Sequence, residues 1–315
     1  MKSIVTIEGL RKAFRNVVAI DDLSLDVPES STYLFLGPNG SGKTTLIRIL
    51  AGVLRATKGT VRVMGTDPYR HPERLVRDVG IAYETHALPP WSSARTFLEF
   101  AASAKGLNGD SVDSIGERFG LVDYWTREMG TYSAGMRKRV MLAQAWLGDP
   151  PLMILDEPFS NLDPEGRRLL VDLLADRASK DLTTLVATHL AEPGTTPTHI
   201  ACMFNGRLEA VGSIDELGER YQARTVVLAV LDSAFAVRVL LGQGIRSVSI
   251  VEHGIALRGN GTTVKAAVDA LRDEGVDVRV AGESHDIWSI YRAVLLGRDK
   301  VQIAGRSSES MAGAG

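Results

Sequence analysis

The 315 residues suffice for one large domain with a small companion, and 36 basic against 38 acidic side chains leave a formal net charge of −2, so no basic surplus points to nucleic acid as a partner. A single cysteine, Cys202 in the apolar run IACMF, excludes an internal disulfide framework, fits a reducing compartment and reads as a plain buried thiol. No apolar run reaches the roughly 20 residues that cross a bilayer. Glu8, Arg11 and Lys12 interrupt any signal-peptide core at the start, so the chain is expected to be soluble by itself.

SIVTIEGL and AIDDLSLDV alternate apolar and polar residues, as half-buried strands do. STYLFLG is a continuous apolar strand that runs into glycine-rich sequence, and KTTLIRILAGVL carries apolar residues at helical spacing. TVRVMG and VGIAYE read as strands, and the pattern from about Ser92 to Leu147 is helical with Gly and Asp breaks. PLMILDEP and TTLVATHL are short buried strands on either side of the helix EGRRLLVDLLADRAS, and FNGR is a tight hairpin turn. Strands alternating with helices predict a parallel sheet covered on both faces. After about Gln222 the order becomes strand, helix, two strands, helix, strand, a split βαβ unit, closed by a helix over HDIWSIYRAVLLG. The end, AGRSSESMAGAG, is small and polar and is expected to be disordered.

The chemistry begins at Gly37. GPNGSGKTT fits G-x-x-x-x-G-K-[ST], follows a strand and opens a helix, which is the context of a P-loop. The loop Gly37, Pro38, Asn39, Gly40, Ser41, Gly42 is expected to wrap phosphate oxygens, its glycines allowing a close backbone approach. Lys43 reaches the terminal phosphates, the Thr44 hydroxyl holds Mg2+, and Thr45 donates to a phosphate. LMILDEP buries a strand and delivers Asp156 and Glu157 at its C-terminal end, where open α/β sheets bind ligands. Asp156 is expected to orient Mg2+ through water, and Glu157 to polarise the water that attacks the γ-phosphorus. His189, ending the strand LVATHL, can donate to the γ-phosphate. A second anion site lies in GTYSAGMRKRV, a Ser/Gly turn opening a helix beside three basic residues.

These motifs, in this order, resemble the ATPase subunits of ATP-binding cassette (ABC) transporters over about Ile4 to Tyr221. VGIAYETHALPPW occupies the place of the Q-loop, YSAGM resembles the signature, LMILDEP the Walker B strand, SNLDP the D-loop, and THL holds the switch histidine. The resemblance implies an α/β P-loop NTPase cassette: a mixed sheet core with antiparallel strands and an inserted helical subdomain at about 88–147. The cassette is expected over residues 1–222, a small βαββαβ-like α+β domain over 223–300, and a tail over 301–315. It implies ATP and Mg2+ as ligands and a head-to-tail dimer of two copies, in which Ser133 and Gly135 contact the γ-phosphate on the partner's P-loop and Asp163 lies across the interface. Phe14 looks like the aromatic that stacks on adenine, and Glu84 stands at the metal where the family carries glutamine. Two other departures are Ala134 in the signature, where glycine is usual, and the Pro/Gly-rich LAEPGTTPTHI, which should shorten or break the helix usual there. The implied partners are separate transmembrane permease subunits, with the chain peripheral on the cytoplasmic face of the membrane and serving an exporter. A soluble ABC ATPase acting on ribosomes or DNA would carry paired cassettes, coiled-coil arms or zinc fingers. A purely regulatory module is opposed by intact Lys43, Asp156, Glu157 and His189.

Overall fold

The computed structural model describes residues 2–85, 87–221, 224–251, 254–259, 261–285 and 287–296; the tail expected over 301–315 lies outside them. The chain divides into two compact units, Met1–Glu209 and Ala210–Gly315.

In the first unit, β1 (Ser3–Phe14), β2 (Val17–Pro28) and β4 (Lys58–Val63) form an antiparallel sheet in the order β2-β1-β4. Ile4, Val5, Ile7 and Leu10 of β1 and Ile20, Leu23, Leu25 and Val27 of β2 are buried, each side chain contributing about 1.5–3 kcal/mol when fully removed from water. The second sheet contains β3 (Thr32–Leu36), β5 (Val79–Ala82), β6 (Leu152–Asp156), β7 (Thr183–Thr188), β8 (His199–Phe204) and β9 (Arg207–Ser213) in the order β5-β6-β7-β3-β8-β9. Neighbours from β5 to β8 are parallel, and β3, β6 and β7 are buried at every residue, as strands covered on both faces must be. Asn205 (φ 47°) and Gly206 (φ 78°) turn β8 into β9, both left-handed as a two-residue hairpin loop requires.

Among the described residues this unit has the α-helices α1 (Lys43–Leu50), α2 (Ala94–Lys105), α3 (Gly109–Arg118), α4 (Ala134–Trp146) and α5 (Pro164–Ser179). α2, α3 and α4 form the inserted helical group and pack on one another, and α4 also packs on β5. α1 packs instead on β6, β7, β2 and β4. The segment between β7 and β8 forms no helix, as its Pro193, Gly194 and Pro197 predict.

Cys202 of β8 is fully buried, and burial pushes its thiol up to about 12. Iodoacetamide at neutral pH is therefore expected to leave the folded chain unlabelled and to label it in denaturant, read by intact mass. Labelling of the folded chain would contradict this burial.

The second unit contains α6 (Ile214–Arg220), β10 (Arg224–Ala229), α7 (Ser233–Gly242), β11 (Val248–Val251), β12 (Gly254–Arg258), α8 (Gly261–Asp273), β13 (Arg279–His285) and a closing helix over 287–296. The sheet order is β11-β12-β10-β13, antiparallel throughout. This interleaves the two split βαβ crossovers. Val226, Leu228, Ile255 and Leu257 from the strands meet Ala236 and Leu240 of α7 and Ala267 and Leu271 of α8 in a core of its own. α6 packs on β13, which places the unit boundary ahead of the composition change at Gln222.

Candidate functional site

Parallel register brings three strand ends side by side. Leu36 of β3 pairs with Thr188 of β7, and Asp156 of β6 pairs with Ala187 of β7. The segments that follow are the P-loop, Glu157 and His189, so the chemistry gathers at the carboxyl edge of the parallel sheet.

The P-loop is shaped by close contacts. A Cβ on Gly37 would lie 2.2 Å from the Met203 carbonyl oxygen, and one on Gly42, at φ 105°, would lie 2.5 Å from that of Ala19. Only glycine fits at either place. Pro38, Asn39 and Gly40 are exposed, Ser41 is buried, and Thr44 and Thr45 are half-buried on the first turn of α1. Lys43 is buried, with Nζ donating to the carbonyls of Gly37 (2.7 Å) and Pro38 (3.2 Å). Burial lowers its pKa, against the opposing pull of Glu157, Asp156 and Glu84.

Glu157 is the centre of the site. Its Oε1 lies 3.0 Å from His189 Nδ1 and 4.0 Å from Lys43 Nζ. Its Oε2 accepts from the Thr188 hydroxyl at 2.9 Å. The backbone is left-handed, φ 44°, a costly region for a residue with a long side chain. Four bonds hold it there: Glu157 N–H donates to the Ala187 carbonyl (2.8 Å), and the Glu157 carbonyl accepts from Ser160 N–H (3.2 Å) and from Ser160 Oγ and Lys138 Nζ, each at 2.8 Å. Asp156 is buried and neither of its carboxylate oxygens has a hydrogen-bond partner of ordinary geometry. Burial raises its pKa; the Thr44 hydroxyl opposes this, and the Glu157 and Glu84 carboxylates add to it. Glu84 is exposed, just beyond β5. His189 is 52% exposed at its side chain.

The other expected residues lie elsewhere on the same unit. Phe14, 45% exposed, ends β1 with Lys12 Nζ 4.7 Å above its ring. Ser133 is the N-cap of α4 and accepts from Met136 N–H at 3.1 Å. Gly135 follows in the first turn, where a Cβ would stand 3.0 Å from the Asn161 carbonyl oxygen. Asp163 caps α5 by accepting from Gly166 N–H (2.8 Å) and pairs with Arg139 at 3.0 Å. The bond from Gly166 first, and then Arg139, holds its carboxyl below the usual range. Two participants lie inside the quoted motifs but are not among the expected site residues. Thr188, just before His189, donates its hydroxyl to the Glu157 carboxylate. Lys138, from the basic run after the signature, is buried and donates to the carbonyls of Glu157 and Tyr83.

A P-loop nucleoside triphosphatase is what this sheet edge defines. The sequence profile of the family described as ABC transporter matches residues 20–160. An uncharacterized ABC transporter ATP-binding protein of Bacillus subtilis (strain 168), YhcH, is 33% identical over 69% of this chain and 72% of its own length. The daunorubicin resistance ATP-binding protein DrrA3 of Streptomyces coeruleorubidus is 30% identical over 87% of this chain and 89% of its own. A solved ATP-binding subunit of an ABC transporter superposes with a TM-score of 0.64 at 26% identity, over 70% of this chain and 94% of that one. The chain belongs to the ABC transporter ATP-binding proteins, and its chemistry is the ATP hydrolysis that powers transport.

Proposed function

We propose that the chain binds Mg-ATP between two copies of itself and drives export through separate membrane subunits. The buried, unpartnered carboxylate of Asp156 beside Lys43 and Thr44 carries the reading of the nucleotide site. Mg2+ suits this donor set, because it is commonly held by one or two carboxylates together with substrate phosphates. Thr44 and Asp156 would hold it, with Glu84 reaching from the Q-loop. When bound it supplies charge neutralisation of the β- and γ-phosphates. The loop from Gly37 to Gly42 and the amides at the start of α1 cradle the phosphates, with Lys43 and Thr45 donating to them. Glu157 accepts a proton from the attacking water, His189 donates to the γ-phosphate through the nitrogen turned away from Glu157, and Phe14 stacks on adenine.

Ser133 and Gly135 complete the partner's site, not their own. The distinct packing neighbourhoods of α1 and α4 favour this reading, with Asp163 beside the same interface. A groove of about 350 Å3 lies between β5, α2 and α4, lined by Val79, Ile81, Tyr83, Phe97, Phe100 and Met141. Phe100 is 74% exposed. An apolar groove of this kind suits the apolar face of a short helix, and a membrane subunit's cytoplasmic helix is its proposed occupant. Among the described residues no helix is long and apolar enough to cross a membrane; in this reading the partner subunits supply the membrane path, with the chain at their cytoplasmic face. Export is supported by the drug-resistance protein DrrA3 among the relatives.

Reconstitution tests this. The chain should co-purify with a polytopic membrane protein, and in their reconstituted complex ATP turnover should rise when the exported compound is present. Co-purification with ribosomes or DNA in place of a polytopic membrane protein would overturn the reading.

The second unit is proposed as a regulatory or dimer-supporting module. Because it has its own core, truncation after Gln222 is expected to leave ATP affinity within about threefold of wild type while changing dimerisation, measured by nucleotide titration and gel filtration. A folded truncation that loses ATP binding would put part of the pocket in the second unit.

A further inference from the structure

The general base needs its main chain fixed as much as its side chain. Glu157 sits at a left-handed φ of 44° directly after β6, where a small rotation would swing the carboxylate away from an attacking water. Both the N–H (3.2 Å) and the Oγ (2.8 Å) of Ser160 donate to its carbonyl, from the turn that follows. Lys138 acts from outside that turn: it lies on α4, is 2% exposed, and donates to the same carbonyl at 2.8 Å. Its Nζ also lies 3.4 Å from the carbonyl oxygen of Tyr83, and Tyr83 lines the apolar groove. One ammonium therefore touches the main chain of Glu157 and that of a residue lining the groove, and its own helix is capped by Ser133. A buried ammonium is costly unless it is compensated; Asp156, Glu84 and Glu157 provide the opposing charge. A lysine kept in so small a space, with donors spent on two main-chain oxygens from separate segments, has the geometry of a clamp.

We propose that Lys138 is a positioning residue for ATP hydrolysis: it holds the main chain of Glu157 against that of Tyr83, so that the base, the groove and the signature helix move as one. This rests on the reading of Glu157 as general base. Lys138 does not touch substrate; it acts through Glu157, so its loss lowers turnover rather than affinity.

The test uses the full chain, with Lys138→Met, which keeps the length and loses the donors, and Lys138→Arg, which keeps charge and donors. Displacing a catalytic group by a fraction of an ångström to an ångström costs about 10- to 100-fold in rate. Lys138→Met is expected to lose kcat by that factor with KM for Mg-ATP within about threefold of wild type, and Lys138→Arg to regain most of the loss. Lys138→Gln, a bond shorter and uncharged, is made alongside in case the methionine variant does not fold, and its kcat is expected to fall between the two. Wild-type kcat in whichever donor-weakened variant folds overturns the proposal, as does a loss that falls on KM instead. Glu157→Gln serves as the control. If it also retains full turnover, the assignment of the base itself is wrong; if it is inactive while Lys138→Met is fully active, only the clamp is wrong.

Discussion

Glu157→Gln is expected to lower ATP turnover by about 100-fold or more, the usual worth of a positioned acid–base group, while Mg-ATP binding stays near wild type. Glutamine keeps the shape of the side chain. Its amide oxygen can still accept from Thr188, which lies 2.9 Å from Oε2 in the native chain, and its amide nitrogen can face His189. What it loses is the capacity to take a proton from water. Nucleotide should then persist between two copies, and the variant should elute as a dimer in Mg-ATP and as a monomer without it. Phosphate release and gel filtration read the two halves separately. Hydrolysis at the wild-type rate would remove Glu157 from the mechanism.

The second large effect is a rescue. Lys43→Ala and Ser133→Asp are each expected to be inactive, and their mixture to regain hydrolysis. Aspartate is chosen at 133 because Ser133 caps α4 through Met136 N–H, and aspartate caps as well as serine does, whereas alanine there would cost about 1 kcal/mol. The helix survives, but a carboxylate now faces the partner's phosphates. Lys43→Ala removes the ammonium that lies 2.7 Å from the Gly37 carbonyl. If the signature serves the opposite P-loop, a mixed dimer rebuilds one good site from the serine of one chain and the lysine of the other. With free exchange at equal amounts, about a quarter of wild-type sites should return, as pairing statistics for a symmetric dimer give. No recovery despite demonstrated exchange would mean that each signature serves its own loop, or that both sites must be intact to fire.

Much of this site is legible in the sequence because its parts are local. A buried strand, a glycine loop and a helix are contiguous from Thr32 to Leu50, and both Asp156 and His189 end short, largely apolar runs that read as buried strands. What sequence cannot give is helix phase and hydrogen-bond ownership. The run from Arg137 to Arg139 reads as positive charge beside an anion. In the fold, Arg137 donates to the Tyr132 carbonyl, Lys138 turns inward to Glu157, and Arg139 pairs with Asp163. Ser133 and Asp163 likewise act as helix caps within their own chain. α6 escapes a periodicity search because it is only seven residues long, although Ser213 and Glu216 spell its capping box. The left-handed turn at Glu157 has no compositional mark, since the position carries neither glycine nor asparagine.

That turn sets the needs of the enzyme against those of the fold. The backbone at 157 would rest more easily with glycine or asparagine, which tolerate positive φ, yet neither could fill the proposed role of base. The position therefore belongs to the class where thermal robustness and catalytic competence are bought from each other. Selection of this chain for heat resistance alone would drift toward residues that relax the turn, and each step in that direction would yield a hardier protein that holds its nucleotide without consuming it.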